Sequence, residues 1–220
     1  MPTIPKQDIA ERFGTRAQAE RYLNRFSQGR RRRTNERETT TLEALLRNLG
    51  HLQTIMDVGS GPGRFTPVFM KHCSRLIQTD FSTHMLAVSK DAYPLDSAQS
   101  GYVQSDVRYL PFTEGSADLV FCHRLLNHLP DPQERMSAMA NLTRVSRRYV
   151  VFSCLGPPAG LRFLRRTCEK LKHTTSIDGH VEAADLITDA QNCNLKLLHR
   201  SKIRSFPISA EFYTFEKKGT

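Results

Sequence analysis

Ile55-Met56-Asp57-Val58-Gly59-Ser60-Gly61-Pro62-Gly63 organises everything around it in this chain. A β-rich apolar lead-in reaches a carboxylate, three glycines follow at every second position, and a helix-like segment opens behind them. Glycine at that spacing lets the backbone turn sharply out of a strand and approach a ligand with no Cβ in the way. A helix start behind such a loop offers free N–H groups and a partial positive charge to an anionic part of the ligand. A tight strand-to-helix turn without any ligand uses the same residues, so the segments downstream matter as much as the loop.

The third glycine separates two kinds of nucleotide site. A dinucleotide-binding loop reads G-x-G-x-x-G and cradles a pyrophosphate. This one reads G-x-G-x-G, and Asp57 stands two residues before the first glycine. A carboxylate there suits a ligand carrying an ammonium group, not a diphosphate. Further along, Leu76-Ile77-Gln78-Thr79-Asp80-Phe81-Ser82 reads as a second strand ending in Asp80, whose two oxygens can accept from both hydroxyls of a ribose. Asp106 follows the short strand Gly101-Tyr102-Val103-Gln104, and Ala117-Asp118-Leu119-Val120-Phe121-Cys122 reads as a fourth strand. Asn127-His128-Leu129-Pro130-Asp131 then leads into a helix.

Together these segments resemble the class I S-adenosylmethionine-dependent methyltransferases, in particular the small-molecule branch that includes ubiquinone and menaquinone methyltransferases. The resemblance covers roughly residues 50 to 155. It implies a Rossmann-like, doubly wound α/β sheet, mostly parallel, with a C-terminal antiparallel hairpin. It also implies S-adenosyl-L-methionine as cofactor, held by Asp57, Gly59, Gly61, Gly63, Asp80, Phe81, Asp106 and Val107. Asp80 takes the ribose in this reading, Asp106 the adenine amino group, and Phe81 either the adenine face or a place in the core. Each aspartate also has a local reading as a turn or cap residue, the more natural one for Asp118.

Strand and helix signals agree with that architecture. Leu42, Leu45, Leu46 and Leu49 recur at helical spacing over Thr39 to Leu49, ahead of Gly50 as a left-handed cap. Asp131-Pro132-Gln133-Glu134 predicts a helix start, with Asp as N-cap, Pro in the first turn and Glu completing a capping box. Arg148 to Ser153 is apolar enough for a fifth strand buried on both faces. A helix over Val181 to Asn192 precedes two runs, Leu195 to Ile203 and Glu211 to Glu216. No helix separates those runs, so they are expected to pair antiparallel around Pro207. The expected organisation is an N-terminal helical cap over residues 1–50 and a core over 51–220, with a basic helical insert at about 155–180.

Composition bounds the rest. The 220 residues suffice for one sizeable core. No segment has the length of a transmembrane helix or the pattern of a secretion signal. Five scattered cysteines without C-x-x-C spacing argue against a metal site or disulfide framework and point to the cytoplasm. Residues 1–50 hold 11 Lys/Arg against 6 Asp/Glu and residues 155–220 hold 11 against 7, whereas 51–154 hold 10 against 9. The excess therefore lies in the two segments expected to cover the acceptor. Tyr22 among its arginines, and Arg162, Arg165 and Arg166 on an amphipathic helix, are the candidate substrate contacts for an anionic small molecule or lipid headgroup. The run Arg30 to Arg33 reads equally well as a solvated face. RNA is the competing partner on the strength of a pI of about 9.7, but few aromatics interleave the basic runs.

Methyl transfer from a sulfonium is mostly positioning and water exclusion. A general base is needed only if the acceptor must lose a proton. His123 and His128, just beyond the fourth strand, are the candidates, set against ordinary core or surface histidines. No Asp/Asn-Pro-Pro-Tyr follows the fourth strand, which argues against methylation of exocyclic amino groups on adenine, cytosine or glutamine.

Overall fold

The computed structural model describes residues 14–96, 98, 100–156, 181–204 and 209–219. Among the described residues two helices come first, α1 (Arg16–Asn24), opened by a Thr15–Gln18 capping box, and α2 (Gly29–Leu49). Strand β1 (Leu52–Val58) leads through the glycine loop to a single helical turn, α3 (Thr66–Phe69). Then follow β2 (Cys73–Asp80), α4 (Thr83–Ala92), β3 (Ser100–Gln104) and β4 (Ala117–Cys122). The order ends with α5 (Pro132–Val145), β5 (Ser146–Gly156), α6 (Ala183–Asn192), β6 (Leu195–Arg204) and β7 (Ser209–Lys217).

The seven strands form one sheet in the order β3-β2-β1-β4-β5-β7-β6. The first five run parallel, β7 pairs antiparallel with β5, and β6 pairs antiparallel with β7. The expected terminal hairpin is therefore present, although Pro207 lies outside the described residues. Side chains alternate between two cores. Met56, Val58, Val120, Cys122, Val150, Phe152, Tyr213 and Phe215 face α5 and α6, where Met139, Leu142, Leu186 and Ala190 meet them. Ile55, Leu119, Phe121, Val151 and Phe212 face the other way, against Leu42, Leu45 and Leu46 of α2 and Phe65, Val68 and Phe69. Both faces are covered, which is why β4 and β5 read as continuous apolar runs. The strand order, not the strand direction, reverses between β1 and β4, so the crevice beyond their carboxyl ends is where an open α/β sheet binds its ligand.

Three local expectations change. Helix α2 begins at Gly29, ten positions before the expected start at Thr39, because exposed pairs such as Arg32–Glu36 at 3.5 Å sustain a polar first half. Gly50 has φ +78° but ψ −168°, so it ends the helix outside the left-handed helical region. The helix behind the glycine loop is only four residues long, which leaves little dipole to aim at an anion. Asp131 accepts from the N–H groups of Gln133 and Glu134, while the Glu134 carboxylate accepts from Arg108. Asp118 does the bland job: it accepts from the Gln53 and Thr54 N–H groups at the open start of β1 and pairs with Arg147.

Candidate active site

The glycine loop lies in the crevice between β1 and β4, and its backbone donors are already in use. Gly59 and Ser60 N–H both donate to the Thr79 carbonyl, at 2.8 and 2.9 Å, and Gly61 N–H donates to Asp80 Oδ2 at 2.8 Å. The loop is thus lashed to the end of β2 and does not form an anion nest, in keeping with a G-x-G-x-G spacing. Gly61 and Gly63 are required for different reasons. A Cβ on Gly61 (φ +56°) points into open space with only Tyr22 Cε1 at 4.0 Å, so a side chain there fills the cleft. A Cβ on Gly63 (φ +73°) meets Ser89 Oγ at 1.9 Å, because α4 packs directly beneath the loop. Ser89 belongs to a buried chain of hydrogen bonds through Gln78 to Thr66.

Tyr22, Asp57, Gly59, Ser60, Gly61, Pro62, Arg64, Phe65, His123 and Arg124 line one cleft. Asp57 is buried and its Oδ2 has no hydrogen-bond partner. Burial, and then the charge of Asp80, push its carboxyl up to about 8. Burial likewise raises Asp80, opposed by hydrogen bonds from the Ser82 and Gly61 N–H groups. Phe81, next to it, is 59 % exposed and therefore not a core residue. Asp106 caps the turn Val107–Tyr109 and grips Arg108 with both oxygens, while Val107 is buried in the core. Both Asp80 and Asp106 carry turn and capping duties at the ends of their strands.

A second set of residues, unforeseen from the sequence, closes the cleft. Glu38 of α2 is fully buried and accepts from Arg64 Nη1 at 2.7 Å and from Arg124. Arg64 also donates to Asn35 Oδ1 at 2.6 Å, and its guanidinium lies between the Phe26 and Phe65 rings, 4.4 and 4.2 Å from their centroids. Against the penalty of burial, the charges of Arg64 and Arg124 hold the Glu38 carboxyl well below the usual carboxylate range. His123 Nε2 stands 3.7 Å from Glu38, beyond hydrogen-bond distance, and neither ring nitrogen has a hydrogen-bond partner. The ring packs edge-on to Phe65 and stacks on Phe121, and burial pushes it down to about 4. His123 is therefore a neutral, weakly basic group at pH 7.

His128 is the exposed last residue of the turn Leu126–His128, whose Leu126 is buried, and it does not line the cleft. Tyr22 of α1 lines it. Arg162, Arg165 and Arg166 lie outside the described residues. Among the described residues no cluster of His, Cys, Asp and Glu could hold a metal ion, and no helix is long and apolar enough to cross a membrane. Of the unforeseen residues, Glu38 left one trace: it lies four before Leu42 and seven before Leu45, a charge set on the apolar stripe.

Residues 56–151 match the sequence model of the family described as "Methyltransferase domain". A probable methyltransferase of Aspergillus luteorubrus is 28% identical over 76% of this chain, and the chain spans only 62% of that relative. A ubiquinone biosynthesis O-methyltransferase of Coxiella burnetii is 23% identical over 72% of this chain and 70% of its own length. Among solved structures, magnesium protoporphyrin IX methyltransferase from Synechocystis PCC 6803, with bound SAH, superposes with a TM-score of 0.73 at 17% identity, over 97% of this chain and 100% of that one. The N-methyltransferase NodS from Bradyrhizobium japonicum, in complex with S-adenosyl-L-homocysteine, gives 0.68 at 20% identity over 92% and 97%. Residues 56–151 carry a methyltransferase domain, and the sheet has the class I methyltransferase fold. The domain is of the S-adenosylmethionine-dependent kind.

Proposed function

We propose that this protein transfers the methyl group of S-adenosylmethionine to a small or lipid-linked acceptor bearing an acidic group, in the cytoplasm. The observation that carries the reading is the buried, unpartnered Asp57 Oδ2 facing a cleft floored by Gly59 and Gly61. A carboxyl buried without a partner is costly unless a ligand completes it, and the ammonium of the cofactor's amino-acid end does so. In this reading Asp80 receives the ribose hydroxyls, its carboxylate being already oriented by two backbone donors with lone pairs to spare. Exposed Phe81 covers the adenine, whose amino group Asp106 accepts beside Val107.

The acidic acceptor rests on two features. The charge excess of residues 1–50 lies on α1 and α2, and α1 delivers Tyr22 to the cleft. Arg162, Arg165 and Arg166 are the further acceptor contacts of the proposal. An acceptor that arrives ionised needs no strong base, which suits a site whose buried histidine is held near pKa 4. His123 then serves as a hydrogen-bonding wall, and His128 stays available to an acceptor approaching from outside. Calorimetric titration with S-adenosylhomocysteine tests the cofactor half: Asp80→Ala should lose about 2–4 kcal/mol of affinity, and unchanged affinity refutes the ribose assignment. Labelled methyl donor offered with fractionated extract tests the acceptor half. Label should enter acidic small-molecule or lipid fractions, and label confined to RNA overturns it.

A further inference from the structure

Helix α2 carries a charge that its own fold does not use. Arg30, Arg31, Arg32 and Arg33 follow one another in its first two turns, and Arg37 stands one turn further on. All five are exposed, and among the described residues only Arg32 has an ion pair, the one with Glu36. Several exposed arginines elsewhere are matched, Arg16 by Asp91, Arg47 by Glu43, Arg147 by Asp118 and Arg200 by Glu211. The run also opposes the helix dipole, since the first turn holds no acidic residue and Gln28 makes no side-chain cap. A local arrangement that costs helix stability and gains no contact within the fold points to a partner outside it.

Position decides which partner. Helix α1 runs from the Arg16–Asp91 pair at the far end of α4 to Tyr22, which lines the cleft. Helix α2 runs back, past Glu38 with its hold on Arg64 and Arg124, to Gly50 and the start of β1. Arg30 stands more than two turns before Glu38, about 12 Å along the helix axis. Nothing from Gly29 to Arg37 is buried, so this length stands clear of the sheet on the side where the cleft opens. Strand β6 runs in the same sense as β5, both being antiparallel to β7, and brings exposed Lys202 to the same end of the sheet. Four consecutive arginines spread around a helix at steps of about 100°, which makes a diffuse field and not a fork aimed at one group. The rings at the elbow turn inward, Tyr22 into the cleft and Phe26 beneath Arg64, so neither stands among the arginines to stack a base. Such a field complements a plane of phosphate headgroups, which reads charge without stereochemistry. We infer that this end of α2 docks the domain on an anionic phospholipid surface with the cleft mouth towards the lipid, so that the acceptor enters from the membrane. The inference rests on the lipid-linked acceptor of the proposed function and names the surface that supplies it.

Sedimentation of the full chain, without cofactor, tests it against vesicles of phosphatidylcholine alone or mixed in equal parts with phosphatidylglycerol. Wild type should pellet with the mixed vesicles and stay in solution with the neutral ones. Each basic residue near an anionic surface contributes about fivefold, so Arg30→Gln, Arg31→Gln, Arg32→Gln and Arg33→Gln together should lower partitioning by at least about 100-fold. Lysine substitutions at the same four positions (Arg30→Lys to Arg33→Lys) should keep it within about threefold, because a surface potential reads the charge and not the fork. If the Gln variant fails to melt cooperatively, salt carries the test on wild type: about 1 M, which screens charges beyond about 3 Å, should release the protein. Retention in that salt, equal binding to neutral vesicles, an undiminished Gln variant, or a Lys variant as weak as the Gln one overturns the inference. So does duplex RNA that strips the protein from the vesicles at equal phosphate, which makes nucleic acid the occupant. A chain that binds the vesicles but not S-adenosylhomocysteine would defeat the proposed function alone.

Discussion

The two walls of the cleft are built on opposite plans. One wall is the glycine loop with Asp57 and Asp80, drawn from the ends of two adjacent parallel strands and tied together by backbone hydrogen bonds. The other joins Glu38 from α2, Arg64 from the loop and His123 with Arg124 beyond β4, and side-chain charge holds it together. The first wall is local and its stability is that of the sheet. The second depends on four side chains remaining ionised, neutral and buried in the right combination. Substitutions should therefore act differently on the two: breaking the charged wall costs stability first, whereas altering the loop costs either packing or ligand binding according to which glycine is changed.

The largest effect is expected at Glu38. Removing the carboxylate leaves Arg64, whose side chain is only 9% exposed, beside Arg124 with no counter-charge. Glu38→Ala should cost about 3–5 kcal/mol, the usual consequence of stripping one partner from a buried ion pair. Urea unfolding checks it, and a loss below about 1 kcal/mol, the range of exposed pairs, would mean that water reaches the cluster. Glu38→Gln should fall between, since an amide oxygen can still accept from one guanidinium.

The glycines come next and divide along the same line. Gly63→Ala forces a methyl group to within 1.9 Å of Ser89 Oγ at a positive φ and should destabilise by about 2–4 kcal/mol. Gly61→Ala meets no atom closer than 4.0 Å, so its cost is the conformational one alone, about 1–2 kcal/mol. Its binding behaviour is the reverse, because the new methyl group occupies ligand space. Unfolding and S-adenosylhomocysteine titration on both variants should show Gly63→Ala damaged chiefly in folding and Gly61→Ala chiefly in binding. The same ranking in both assays breaks the distinction.

The contrast between the walls also explains what could be read in advance. Asp57, the three glycines and Asp80 are legible because strand ends and tight turns leave short patterns in the chain, and a mostly parallel sheet with helices on both faces follows from apolar runs alternating with helical stripes. The charged wall leaves almost none, since Glu38 and Arg124 are 86 residues apart and meet only through the packing of α2 on the sheet. Glu38 on the apolar stripe is the one visible anomaly, and it becomes meaningful only with its partners known. The positive φ of Arg124 has no signature at all, because nothing in His123-Arg124-Leu125 favours a left-handed residue as glycine or asparagine does. The start of α2 is missed because its first turns carry no stripe.

The smallest effect, and the sharpest on the difference between the walls, concerns protons. Asp57 and His123 line one cleft but shift in opposite senses: burial pushes the carboxyl up to about 8 and the imidazole down to about 4, so that both are neutral at pH 7 while the cleft is empty. For Asp57 the folded protein keeps a proton that the unfolded chain releases near 3.8. Its contribution is therefore fully present below that value and is lost as pH rises towards about 8. For His123 the unfolded chain takes up a proton near 6.5 that the folded protein refuses until about 4, so its contribution is lost as pH falls through that window. Asp57→Asn should flatten the decline in melting temperature of the ligand-free protein between about pH 5 and 8 and leave the acid side unchanged. An arriving ammonium reverses the preference of Asp57 and expels its proton. Binding of S-adenosylhomocysteine at pH 7 should then release a fraction of a proton, seen as a titration heat that varies with the ionisation enthalpy of the buffer. Asp57→Asn should abolish that dependence. If wild type binds with the same heat in phosphate and in Tris, Asp57 is already ionised in the empty cleft, and the orphaned oxygen is answered by something other than the ligand.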